Sequence, residues 1–133
     1  MKKILTLFIL TITIGYFATS CKKETFKGGQ NNRTIKFLLY TNKDFSNNTD
    51  SINFTIRVRN ENKTIEFDSL VKTIRIKDIP GPANKFVFTK AVPDDGTVLT
   101  AGFLYNIKNV GISWYLDTVG VTRKEKTIEF AFQ

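Results

Sequence analysis

An all-β domain, an antiparallel β-sandwich of about seven or eight short strands, is what residues 33–133 predict, and three observations carry it. Apolar residues recur at every second position, the period of a half-buried strand, and not at helical spacing. Turn chemistry separates the runs at short intervals. No stretch after residue 32 carries an apolar helical stripe.

The first run, RTIKFLLYT, sets Ile35, Phe37 and Leu39 on one face and Lys36 and Tyr40 on the other. SINFTIRVRN is the clearest: Ile52, Phe54, Ile56 and Val58 point inward, while Asn53, Thr55, Arg57 and Arg59 stay wet. KTIEF contributes Ile65 and Phe67, and KTIRIKDI contributes Ile74 and Ile76. NKFVFTKA offers Phe86 and Phe88, and TAGFLYNI offers Phe103, Tyr105 and Ile107. In VGISWYLD the same rule sends Val110, Ile112, Trp114 and Leu116 inward, making Trp114 a core residue, and puts Tyr115 outward. TIEFAFQ closes the series with Ile128, Phe130 and Phe132. The twelve Phe residues fall mostly on inward parity and supply the burial a small sheet protein needs.

Between the runs, RNENK has the length and polarity of a hairpin connection. PDDG (residues 93–96) is a turn with a mechanism: Pro presets φ, Asp bonds back to the backbone and Gly accepts φ > 0. IPGP (residues 79–82) interrupts any strand, because Pro donates no ladder hydrogen bond. The expected topology is immunoglobulin-like or transthyretin-like, with a small closed barrel as the alternative. No Cys–Trp–Cys framework of an antibody-type domain is present, and there is no internal repeat.

The N-terminus has a different character. MKK supplies two cations, Ile4 to Phe17 carries no charge, and Ala18, Thr19 and Ser20 precede Cys21, the only cysteine. A basic start, an apolar stretch and small residues before a cleavage point describe a secretory signal peptide. The apolar run is short for a membrane span, which needs ~20 residues. With one cysteine, a structural disulfide within the chain is excluded. The segment from Phe17 to Cys21 resembles the lipobox of bacterial lipoproteins, with Ala18 where Leu is commonest. That resemblance implies cleavage before Cys21, diacylglycerol on its sulfur and a further acyl chain, such as palmitate, on its amine. Lys22, Lys23 and Glu24 resemble the surface-export tag of Bacteroidota lipoproteins, and the whole chain resembles the small β-rich lipoproteins of that group. The implied address is the cell envelope, lipid-anchored to the outer membrane and facing outward. The expected organisation is a signal peptide at 1–20, a lipidated cysteine and flexible tether at 21–32, and a β-sandwich domain at 33–133. Fully extended, the tether would reach about 35 to 40 Å at ~3.3–3.6 Å per residue.

The chain carries 20 Lys and Arg against 12 Asp and Glu. Two of the cations lie in the signal segment, so residues 21–133 hold 18 against 12, or +6. A basic surface attracts phosphate, acidic glycan or lipid headgroups; the envelope address argues against nucleic acid. Histidine is absent, which removes the commonest general base and metal ligand. Paired carboxylates can hydrolyse a glycoside without histidine; the candidates Asp78, Asp117, Glu66 and Glu129 lie on strands or strand ends, with no local motif that brings two together. The expectation is therefore a non-enzymatic protein with no catalytic residues, no metal and no cofactor. DFSNNTD alternates oxygen side chains at Asp44, Ser46, Asn48 and Asp50, yet Thr49 stands where a calcium loop needs Gly and Thr55 where it needs Glu. It reads as a solvated loop.

Candidate ligand contacts are Tyr115 and Tyr40, read as outward aromatics able to stack on a sugar ring. The basic residues Arg57, Arg59, Arg75 and Lys77 share outward parity and form one patch if their strands are neighbours. DSI, DSL and DTV resemble the acceptor motif for O-glycosylation of exported Bacteroidota proteins, which would place glycan on Ser51, Ser69 or Thr118. The function expected from these features is a small membrane-anchored binding module for glycan or for another envelope protein. The alternative is an assembly subunit, pilin-like or accessory to an outer-membrane complex, that pairs through a strand edge.

Overall fold

The structure is a computed structural model, and the residues it describes are 31–133. The signal-like segment, Cys21 and the Lys22–Glu24 tag lie outside the described residues. Seven strands form two sheets: β1 (Asn32–Thr41), β2 (Ser51–Asn60), β3 (Glu66–Arg75), β4 (Phe86–Pro93), β5 (Leu99–Ile107), β6 (Gly111–Val119) and β7 (Glu125–Phe132). The three-stranded sheet runs β4-β1-β7 and the four-stranded sheet runs β3-β2-β5-β6. The sandwich is thus observed and the barrel is not: four edge strands remain.

Eight runs become seven strands because the two after β2 fuse. The register shifts between Phe54 and Thr55, with Phe54 opposite Lys72 and Thr55 opposite Leu70. Val71 is the extra residue, a β-bulge that swaps facing parity halfway along β3. This is why Phe67 and Ile74 both pack on the core from one strand although their spacing is odd. One pair departs from antiparallel order: β1 and β7 run parallel, from Thr34 beside Glu125 to Thr41 beside Phe132. The chain leaves β6 and crosses to the other sheet, so its last strand enters from the same end as its first. β1 begins at Asn32, one residue before the expected boundary, and Asn31 O accepts a hydrogen bond from Asp94 N.

Inward parity on β1, β2, β5 and β7 is as expected, and Phe37, Phe54 and Phe103 are fully buried. Their rings meet edge-on: Phe37 and Phe103 at 5.7 Å with planes at 82°, Phe54 and Phe103 at 6.4 Å with planes at 84°. Edge-to-face contact adds about 0.5–1.5 kcal/mol beyond area burial. The two open sides of the sandwich close differently. Between β3 and β4, Lys72 Nζ lies 4.7 Å over the Phe86 ring and Lys90 Nζ 3.8 Å over Phe67, a reciprocal pair of cation–π contacts. Between β6 and β7, Tyr115 stacks on Phe130 at 5.1 Å, and Phe130 stacks on Tyr105 at 5.4 Å.

One end of the sandwich is held by a buried charge. Arg33 takes inward parity on β1 and is fully buried. Its Nη1 donates to Thr97 O at 2.6 Å and its Nη2 to Asp95 Oδ1 at 3.2 Å, while its Nε lies 3.3 Å from Asp94 Oδ1. The PDDG turn presents both carboxylates, and Gly96 takes φ of 74°, the left-handed conformation only glycine adopts at no cost. Asp95 also accepts from Asn60 Nδ2 at 3.1 Å, and Asn60 Oδ1 accepts from Ile65 N at 3.1 Å across the β2–β3 turn. Lys124 pairs with Asp94, and Lys124 O accepts from Thr34 N. Three connections of the chain therefore converge on this end: the β4–β5 turn touches the guanidinium directly, and the β2–β3 and β6–β7 connections reach it through Asp95 and Asp94.

These contacts make folding acid-sensitive. Asp94 is held below the usual 3.8 by Lys124 ahead of Arg33, and Asp95 by the hydroxyl and N–H of Thr97. Arg57 does the same to Asp68, and Lys126 to Asp117. A carboxylate whose pKa falls on folding stabilises the fold above its unfolded pKa and ceases to do so as pH drops through its folded value. The urea midpoint is expected to hold level from pH 7 to about 4 and fall below that. A midpoint that stays level to pH 2 would contradict this.

Candidate binding face

The outer face of the four-stranded sheet carries a row across all four strands that is apolar on β3, β5 and β6 and holds a threonine on β2. Antiparallel register sets Leu70 opposite Thr55, Thr55 opposite Leu104, and Leu104 opposite Trp114. Partners in register project to the same side of a sheet. Leu70 is 61% exposed and Trp114 67%. Ile112 flanks the row at 67%, and Leu116 flanks it on the other side, exposed as well. Polar groups are interleaved: Asn53 opposite Asn106, and Asn106 opposite Ile112. A hollow of about 220 Å³ lies among Asn53, Thr55, Leu70, Leu104, Asn106 and Ile112. Isolated exposed leucines are ordinary; an exposed cluster with a tryptophan in it makes this face the candidate.

This corrects the reading of β6. Ile112, Trp114 and Leu116 face outward, and Tyr115 faces the three-stranded sheet, where Phe130 covers one side of its ring. Trp114 is no core residue. The hairpin sets the register: Val110 N bonds to Ile107 O, Asn109 and Gly111 take φ of 66° and 144°, and Phe103 then stands opposite Tyr115. Phe103 is fully buried, so its neighbour must point inward too. Tyr115 keeps 40% exposure at the mouth of a groove between β6 and β7, bordered by Trp114, Glu129 and Gln133.

Beside the row stands a charged rim. Arg57 donates to both oxygens of Asp68, from Nε at 2.8 Å and from Nη2 at 2.6 Å, and Arg59 reaches Asp68 at 3.1 Å and Glu66 at 2.9 Å. The bidentate pair raises the Arg57 pKa as it lowers that of Asp68. The four basic candidates do not form one patch, although β2 and β3 are neighbours. Arg57 lies opposite Asp68 but Arg75 lies opposite Ser51, roughly 20 Å further along at ~3.4 Å per residue. Lys77 sits in a single-turn 3₁₀ helix, Ile76–Asp78, past the end of β3. Two arginines are matched by two acids, and the other two cations stand at the far end.

Between rim and row lies Gly102. The main chain of β6 passes where a side chain would stand: a Cβ there would meet Tyr115 O at 2.0 Å and Leu116 Cα at 2.8 Å. Only glycine lets β6 approach β5 this closely.

The other candidates are scattered. Tyr40 lies on the outer face of the three-stranded sheet, half-buried, with Lys85 Nζ 4.3 Å over its ring and Glu129 paired to that lysine. Ser51 opens β2, half-buried Ser69 lies opposite Ile56 on the inward parity of β3, and Thr118 is exposed on β6. In the 44–50 loop, Asp44 Oδ1 accepts from Ser46 N at 2.9 Å and Asn48 Oδ1 from Asp50 N at 2.9 Å, so both side chains serve the loop's own turns. Sequence reasoning missed Trp114 as a surface residue and Arg33 altogether. Arg33 had a signal, since it shares parity with Ile35, Phe37 and Leu39; Trp114 had none that separates a buried from an exposed ring. Comparison of the chain with protein-family models, with curated proteins and with solved structures finds no match.

Proposed function

We propose that the chain is a lipid-anchored, non-catalytic docking module of the cell envelope, fastened to the outer membrane through Cys21 and meeting an envelope protein with the outer face of its four-stranded sheet. The observation that supports this reading is the row Leu70–Leu104–Trp114 with Ile112 and Leu116 beside it, all exposed but the half-buried Leu104, and bordered by the Arg57–Asp68–Arg59–Glu66 network. An aromatic and aliphatic centre with an arginine-containing polar rim is the make-up of a protein–protein contact. Aliphatic side chains in this number have little to offer a sugar. A glycan is the second reading, favoured by the exposed Trp114 ring with Asn106 diagonal to it on the neighbouring strand.

The test has two arms. The wild-type chain is expected to incorporate labelled fatty acid in a lipoprotein-processing host, and Cys21→Ser to lose the label. A labelled wild type with an unlabelled Cys21→Ser supports the anchor; no label in wild type overturns it. Cross-linking and recovery from membranes is expected to yield a protein partner with wild type that Trp114→Ala/Leu70→Ala loses about thirtyfold, as hot-spot truncation of about 2 kcal/mol predicts. Equal recovery by both forms refutes the face. A glycan array bound by wild type and not by the variant would favour the second reading.

A further inference from the structure

The face of β6 is one unusual feature; its edge is another. β6 is the last strand of the four-stranded sheet: among the described residues it has β5 on one side and no strand on the other. An edge strand presents unpaired N–H and C=O groups to any chain that can add to it, and natural sheets blunt such edges. The other three edge strands are blunted. β3 carries the bulge at Val71 with Lys72 beside it, β4 contains Lys90 and ends in Pro93, and β7 bears Glu125, Lys126 and Glu129. β6, GISWYLDTV, has no proline, no lysine, no arginine and one charge, Asp117.

We infer that this edge pairs with the same edge of a second copy, antiparallel about a two-fold axis at Trp114, joining the two four-stranded sheets into one. The side-chain order of β6 is what a two-fold requires. With Trp114 opposite its own copy, Ile112 faces the partner copy's Leu116 and Leu116 faces its Ile112, so the outer face reads apolar against apolar at every step. On the inner face Ser113 faces Tyr115, and the only charge, Asp117, faces Gly111. No like charges meet. Shifting the axis by one residue to Tyr115 would set Asp117 against Ser113 and Leu116 against Trp114, leaving Ile112 beside Thr118. The Trp114 register is the one that matches apolar residues throughout. Cross-strand pairs of this kind contribute roughly 0.2–1 kcal/mol each, on top of the main-chain ladder. An isologous two-fold contact also closes on itself: each copy has one such edge, so pairing stops at a dimer and does not run on to a fibre.

Edge pairing lies in the plane of the sheet and leaves the outer face free. It sets two Trp114 rings side by side and makes a single apolar band from Leu70 of one copy to Leu70 of the other. The inference concerns the edge and stands whether or not the face docks an envelope protein.

Disulfide trapping tests it, because the chain has one native cysteine. In the full chain carrying Cys21→Ser, a single thiol is placed by Trp114→Cys, Ile112→Cys or Val87→Cys, the last on the far edge strand β4. Paired Cα atoms across an antiparallel ladder are ~4.5–5.5 Å apart, inside the reach of a disulfide, ~4.4–6.8 Å. Two copies of residue 112 would be offset by four residues, about 14 Å at ~3.4 Å per residue, which no disulfide spans. Mild oxidation of the purified protein is expected to give about tenfold more covalent dimer for Trp114→Cys than for the other two. Ile112→Cys/Leu116→Cys restores cross-linking, since those positions face each other between copies. All these positions are exposed, so thermal melts should match that of Cys21→Ser. Equal yields at 112, 114 and 87 in folded protein, or no dimer from either Trp114→Cys or the double variant, overturns the pairing.

Discussion

Arg33→Ala is expected to lower stability by about 3 kcal/mol, the lower end of what breaking a buried ion pair costs, and the melting temperature by about 15 °C for a domain of this size. The cost has two sources. A fully buried side chain is removed from the inward face of β1, and Thr97 O and Asp95 Oδ1 lose the donors that hold them at 2.6 and 3.2 Å. The turn that carries Asp94 and Asp95 then loses its tie to β1, and with it the Asn60 link to the β2–β3 turn. Arg33→Met restores most of the volume without the charge. It should recover less than half of the loss alone, and more when Asp95→Asn removes the carboxylate left without a cation. A double-mutant cycle between positions 33 and 95, read by urea denaturation, measures that coupling. An Arg33→Ala variant within about 0.5 kcal/mol of wild type, the range of ordinary surface changes, would show that the guanidinium does not hold this end together.

Gly102→Ala is expected to cost a similar amount, about 3 kcal/mol, at the upper end of overpacking. The new Cβ would stand 2.0 Å from a main-chain oxygen, and main chain cannot rotate aside as a lysine can. β6 must move away from β5 by more than an ångström, and Tyr115 moves with it off Phe130. Loss should therefore be local before it is global. Hydrogen exchange of the β6 amides from Tyr115 to Val119 should rise while β1 and β2 keep their protection. Protection on β6 equal to wild type would mean that the strands part without strain.

The parity of β2 and β7 was legible from the sequence because each has one apolar and one polar face. β6 was not, because it is apolar on both: Tyr115 and Val119 on one side, Ile112, Trp114 and Leu116 on the other. Alternation cannot orient such a strand; its hairpin to β5 does, through Phe103. Leu70 was hidden for another reason, since the bulge at Val71 reverses parity within β3. The candidate face is assembled from residues on β3, β2, β5 and β6, and no local pattern reports strand order. Arg33 looked like the polar start of a strand; its burial follows from where the PDDG turn, sixty residues on, comes to rest.

The parallel pairing of the first and last strands has a mechanical consequence. Asn32 opens β1 at one end of the sandwich, and Phe132 closes β7 at the other. A pull between Asn32 and Phe132 therefore slides β1 along β7 and loads their hydrogen bonds together, from Thr34 to Thr41. A hairpin pulled from its open end would unzip one rung at a time and yield at low force. The sandwich is thus loaded in shear, not in unzipping, along the line from the start of β1 to the end of β7.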